Sequence, residues 1–153
     1  MVQVPGLEFV FAALVKVAPP VEFGETPQGR RRMIPILGGI VEGPSFRGEV
    51  LAGGADWQLL RPDGASELVA QYAIRADDGA IIAVTNRGLR HAPPEVMARL
   101  NAGEPVDPEA VYFRASPSFS TAATQHAWLN RHLFLCIGGR APDAVQLDFF
   151  RVM

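Results

Sequence analysis

The chain has 153 residues, 48% of them hydrophobic and 20% charged, with a formal net charge of -2. That length fits one globular domain spanning residues 1–153, with a core that needs neither disulfides nor metal. So small a net charge implies neither an acidic substrate nor a basic nucleic-acid face, and the single Cys136 excludes an internal disulfide and a cysteine zinc site.

The first apolar run, Leu7 to Val17, predicts a strand closed by Pro19-Pro20. Glu8 and Lys16 interrupt it and no basic segment precedes it, so neither a secretory leader nor a membrane span is expected. Thr26-Pro27-Gln28-Gly29 is a turn, and Arg30-Arg31-Arg32 reads as a solvated strand entrance. Arg31 to Val41 predicts a strand with Gly38-Gly39 inside it, where glycines mark a bulge or a sharp bend. Gly43-Pro44 turns into a strand over Phe46 to Leu51. Gly53-Gly54 breaks it, and Asp56 to Arg61 continues it as far as the Pro62-Asp63-Gly64 turn. From Glu67 to Ala76 the alternation is clean, with Leu68, Ala70, Tyr72 and Ile74 facing one way and Glu67, Gln71 and Arg75 the other.

Asp78-Gly79 between two alternating runs predicts a tight hairpin with a primed two-residue turn, and Ala80 to Asn86 is its return strand. The helix candidate is Ala92 to Leu100, with proline at its start, Glu95 in the first turn and Gly103 just past its end. It is short, with Val96, Met97 and Leu100 on one side, and is expected to cover an opening or an edge. Strands over Val111 to Ser120, Trp128 to Gly138 and Ala144 to Val152 complete the chain. Cys136, inside LFLCIGG, is expected to be a buried, inert thiol, with the reducing cytoplasm as its setting. Short connections between alternating runs predict an all-β fold: a single antiparallel β-barrel of about eight to ten strands with one short helix.

The stretches GGIVEGPSFRGEVLAGGADWQLLRPDG, DDGAII, VYFRASPSF and AWLNRHLF together resemble the bacterial and fungal family known as domain of unknown function 3237, over nearly the whole chain from Leu7 to Val152. The resemblance implies a small β-barrel with a ligand-sized interior, and it names no reaction. Members of that family often carry arginine where this chain has Gln71, which implies a different ligand charge here if that arginine binds an anion.

Templates for a nucleophile elbow, a phosphate-binding loop or a metal-binding helix are not matched, and His91, His126 and His132 are scattered. No metal or organic cofactor is therefore expected. Small barrels either fill their interiors or enclose one small ligand. Strand parity places Trp128, Asn130, His132 and Phe134 on one face, and Tyr112, Arg114 and Ser116 on another. Asp56 and Trp57 follow the Gly53-Gly54 break, where a bend can aim them at a mouth. These patterns make Trp57, Tyr72, Tyr112, Trp128 and Asn130 candidate ligand-binding residues. Asp56 is the candidate general base, with a raised pKa, and Arg114 the candidate oxyanion stabiliser. The expected function is either binding of a small, partly apolar or aromatic molecule in the barrel or isomerase, cyclase or lyase chemistry on it that needs no cofactor. The alternative is a packed barrel acting as an interaction protein. A homo-oligomer is expected in either case, because a wide apolar sheet exterior needs a cover, and neither nucleic acid nor membrane is expected as a partner.

Overall fold

In the computed structural model, which describes residues 1–141 and 143–153, ten strands form one antiparallel sheet that closes on itself. They are β1 (Leu7–Val17), β2 (Val21–Thr26), β3 (Gly29–Glu42), β4 (Gly48–Val50), β5 (Ala55–Leu60), β6 (Ser66–Ala76), β7 (Ile81–His91), β8 (Tyr112–Thr121), β9 (Phe134–Arg140) and β10 (Ala144–Val152). The helix α1 (Pro94–Asn101) lies between β7 and β8. Neighbours run β1-β10-β9-β8-β7-β6-β4-β3-β2, and β1 also pairs with β3, which shuts the ring. β1 and β2 lie end to end along β3, and β4 and β5 lie end to end between β3 and β6. The result is a closed eight-stave antiparallel barrel with one short α-helix, the fold class that the alternation predicts.

Closure brings backbones into close approach at a few glycines. A Cβ on Gly39 would lie 2.2 Å from the Leu14 carbonyl oxygen, at the β1–β3 seam. One on Gly54 would lie 2.5 Å from the Gln71 oxygen, where β5 re-enters the sheet beside β6. Only a residue without a side chain fits either place.

The interior has two ends of different character. At one end Phe11 stacks on Phe149 at 4.5 Å and meets Phe46 at 4.8 Å, while Phe119 meets Phe134 edge-on at 4.9 Å. Burying such rings stabilises by about 1.5–3 kcal/mol each. The other end carries charge.

Three local expectations are corrected and one strand is added. Pro19-Pro20 closes β1 as expected, but the chain resumes at once in β2, an exposed strand that the sequence reading passed over. The hairpin at Asp78-Gly79 forms, but only Gly79 has positive φ (90°). Gly79 donates to the Ala76 carbonyl, and Ala76 donates to Ala80, so the turn is a three-residue loop closed by glycine. Arg32 is not solvated: β3 turns every second side chain inward, and Arg32 is 4% exposed beside the buried Ile34 and Ile36. Finally, Trp128 to Gly138 is not one strand. Residues Thr124–Arg131 form a 3-10 helix whose buried members, His126 and Leu129, stand three apart, and β9 starts only at Phe134. Among the described residues, no helix is long and apolar enough to cross a membrane.

Candidate functional site

Pairing register assembles the charged end row by row. Ile34, Asp56, Ala70 and Asn86 lie opposite one another across β3, β5, β6 and β7. The next inward row is Arg32, Gln58, Leu68, Gly88 and Ala115. Beyond it, Ser66, Arg90 and Phe113 form a third. Asp56 and Gln58 point inward because they share parity on β5, while Trp57 between them points out.

Most of these residues, though neither Arg32 nor Ser66, line a cavity of about 60 Å³ that opens to the outside. The walls are Val15, Ile34, Ile36, Phe113, Val145 and Leu147, and the polar groups are Asp56, Gln58, Tyr72, Asn86, Arg90 and Arg140. Arg90 and Arg140 also border clefts beneath the segment after α1, where Leu100 and Val106 pack. The helix therefore sits at the rim, as its short amphipathic pattern predicts.

A hydrogen-bonded relay crosses the floor. Arg32 Nε donates to Gln58 Oε1 at 2.7 Å, and Gln58 Nε2 donates to Asp56 Oδ2 at 2.7 Å. Several buried atoms around it have no partner among the described residues: Asp56 Oδ1, Tyr72 Oη, Asn86 Oδ1, Ser66 Oγ, Arg32 Nη2, and Arg90 Nε and Nη2. Native interiors seldom leave so many polar atoms together unsatisfied, and such groups gather where a ligand supplies the missing bonds.

The electrostatics follow from burial. Desolvation lifts the Asp56 carboxyl above its ordinary value, against the opposing pull of the Gln58 amide and of Arg90, Arg32 and Arg140. Burial likewise lowers Arg90, to about 10, helped by repulsion from Arg140 and Arg32. Arg140 and Arg32 are lowered too, chiefly by burial. Tyr72 is raised by burial and by the nearby Cys136 and Asp56. The cavity thus holds a carboxyl group able to be neutral, beside guanidinium donors and an apolar wall. That combination can move a proton and hold negative charge.

Of the candidates read from the sequence, Asp56 and Tyr72 line this cavity and the other five do not. Trp57 is 44% exposed on the outer face, with Phe23 at 6.0 Å. Tyr112 lies outside as well, stacked on His91 at 4.8 Å, and Arg114 covers its ring at 5.5 Å while donating to the Phe113 carbonyl. Trp128 packs at the aromatic end, 5.8 Å from Phe134. Asn130 pins the backbone of Thr121 through two hydrogen bonds of 2.9 Å. Gln71 also faces outward, off the cavity. The residues missed were Arg32, Gln58, Asn86, Arg90 and Arg140. Their signal was parity: Arg32 with Ile34 and Ile36, and Asn86 with Gly88 and Arg90.

Relatives share this barrel. A UPF0311 protein of Clostridium acetobutylicum is 44% identical over 146 residues, covering 95% of this chain and 92% of its own. The crystal structure of a conserved protein of unknown function from Rhodopseudomonas palustris superposes with a TM-score of 0.95 at 39% identity, over 99% of this chain and all of that one. A hydroalkoxylation enzyme of Penicillium herquei is 35% identical over 145 residues, covering 95% of this chain and 80% of the fungal protein. Residues 5–152 match the family described as protein of unknown function DUF3237, so barrel, length and sequence agree that the chain belongs to that family.

Proposed function

We propose that this protein binds a small, partly apolar molecule inside the barrel and adds a hydroxyl group across a carbon–carbon double bond, or catalyses the reverse elimination. The observation that carries this reading is Asp56: a buried carboxyl with a raised pKa and one unpartnered oxygen, set in an apolar cavity beside guanidinium donors. The similarity to a fungal hydroalkoxylation enzyme supports the reaction class.

The step balances without an oxidant or reductant. Neutral Asp56 gives its proton to one alkene carbon, the hydroxyl oxygen bonds to the other, and the hydroxyl proton returns to Asp56. One C–H and one C–O bond form, while one O–H and one π bond break. The single buried Cys136, whose thiol burial pushes up to about 12, suits a reducing compartment, and the cytoplasm is the setting we propose.

The test is incubation with alkenyl phenols in D₂O, followed by mass spectrometry. Ring closure should place one deuterium on carbon. Asp56→Asn should lower turnover by about 10²–10⁴-fold while leaving affinity nearly unchanged. Turnover in that variant within a few-fold of wild type would remove Asp56 from the mechanism.

A separate observation favours self-association. On the outer face, Phe9, Phe150 and Leu135 lie in one cross-strand row, flanked by Leu7, Leu133 and Ile137. Phe9 is 42% exposed and Leu133 76%. A second copy of the chain is the cover we propose for this patch. Light scattering should find an oligomer that Phe9→Glu/Leu135→Glu dissociates, and a monomeric wild-type protein would refute it.

A further inference from the structure

Charge inside the cavity is unbalanced. Three guanidiniums, Arg32, Arg90 and Arg140, act on one carboxylate, Asp56. Arg32 has a distant second partner, Glu22, at 3.9 Å. Among the described residues, neither Arg90 nor Arg140 has a carboxylate within 4.0 Å. Arg90 is 2% exposed, and its guanidinium lies 5.8 Å from the centre of the Phe113 ring. Its Nε and one Nη lack any partner among the described residues. A buried guanidinium with free donors is costly unless something anionic completes it.

We propose that the molecule held in the barrel carries a carboxylate, seated on Arg90 and Arg140 at the mouth end, with a short apolar body lying between Ile34, Ile36, Val145 and Leu147. This inference rests on the barrel being a ligand site. It adds the charge and the orientation of the ligand. The planar guanidinium fork presents paired donors that match the two oxygens of a carboxylate. Arg90 Nε and Nη2 form such a pair on one edge. Mutual repulsion among the three arginines is relieved when a negative charge arrives, which favours an anion over a neutral isostere. The walls argue against a sugar phosphate or a nucleotide, since their hydroxyls would face valine, isoleucine and leucine. Seated in this way, the apolar body extends towards Asp56, the one group in the cavity suited to exchange a proton with it.

The test is calorimetric titration of the purified protein with benzoate, cyclohexanecarboxylate and 3-phenylpropanoate, each paired with its primary amide, with inorganic phosphate as a further probe. Carboxylates should bind at least about tenfold more tightly than their amides, a preference that a charge-assisted pair readily supplies. Arg90→Gln and, separately, the more peripheral Arg140→Gln should reduce that ratio towards one. Amide binding should hardly change in either. If Arg90→Gln does not fold, the wild-type ratio and Arg140→Gln still decide the matter. Equal binding of acid and amide, tighter binding of phosphate than of every carboxylate, or a preference that survives both variants would overturn the inference. Binding of amides alone would overturn it and leave the ligand-binding barrel standing. Binding of neither class would bring down both.

Discussion

Tyr72→Phe should make the free protein more stable and its complex weaker. The Tyr72 ring is 7% exposed and packs in the core, while its hydroxyl is buried without a partner in the protein. Phenylalanine keeps the ring and removes only the oxygen. A buried unsatisfied hydroxyl costs about 1–3 kcal/mol, so its removal should stabilise by that order. For a domain of this size each kcal/mol moves the Tm by about 2–4 °C, which calorimetry resolves easily. Urea denaturation should show a higher midpoint at unchanged slope, because the surface exposed on unfolding is the same. A carboxylate or phenol that stabilises wild type should stabilise the variant less, since the cavity has lost a donor. A Tm lowered by several degrees would refute the reasoning, because it would mean that the hydroxyl is already bonded in the free protein and that the cavity floor is satisfied without a ligand.

Two further outcomes test other parts of the molecule. Asp78→Ala should lower the Tm at neutral pH, because Asp78 accepts from the Ala80 backbone and faces His126 Nε2 at 2.7 Å, tying the hairpin to the 3-10 helix. The Ala80 N–H, and after it His126 and Gln125, hold the Asp78 carboxyl below its ordinary value. Its contribution is therefore present above the ordinary carboxylate range and lost as pH falls through the lowered value, so melting curves of variant and wild type should converge in acid. Cys136 is fully buried with its thiol pushed up to about 12, so it should resist alkylation at pH 8 in the folded state and react only after denaturation. Rapid labelling of the native protein would contradict both its burial and its shift.

Legibility differed between fold and site for a physical reason. The barrel was readable because alternation and turn chemistry are local: Glu67 to Ala76 sorted its faces correctly, and Asp78-Gly79 marked its hairpin. Parity, however, names two faces without saying which is inside. Arg32 shows the difficulty, since a run of three arginines hides the alternation that the structure reveals. Arg90, in TNRGLRH, sits among charged residues of both parities. For Trp128 and Asn130 parity was the wrong rule. The spacing of three between His126 and Leu129 is the helical signal in that segment, and with it Asn130 becomes a cap on Thr121 rather than a wall of the cavity.

The two ends of the barrel divide the work of stability and function. The aromatic end, from Phe11 and Phe149 to the helix carrying Leu129, buries its rings with His126 packed on Phe46 and Arg151 lying over Trp128 at its margin. Its packing sets the register of every strand, and register alone decides that Asp56, Asn86 and Arg90 point inward at the other end. There the same backbone carries groups that weaken the free protein: a desolvated carboxyl, unpaired guanidiniums and orphan hydroxyls. Selection for stability alone would have replaced them with leucine and valine, as in the rows beside them. On the proposed reading, a bound molecule completes them. Such a ligand would return its binding energy as stability, about 2.7 kcal/mol at one hundred times its dissociation constant. The free protein should accordingly be held together from its aromatic end, with amide exchange slow in β1 and β10 around Phe11 and Phe149. Exchange should be faster in β5 around Asp56 until a carboxylate is added. Protection of β5 equal to that of β10 without ligand would show that the charged end bears no such cost.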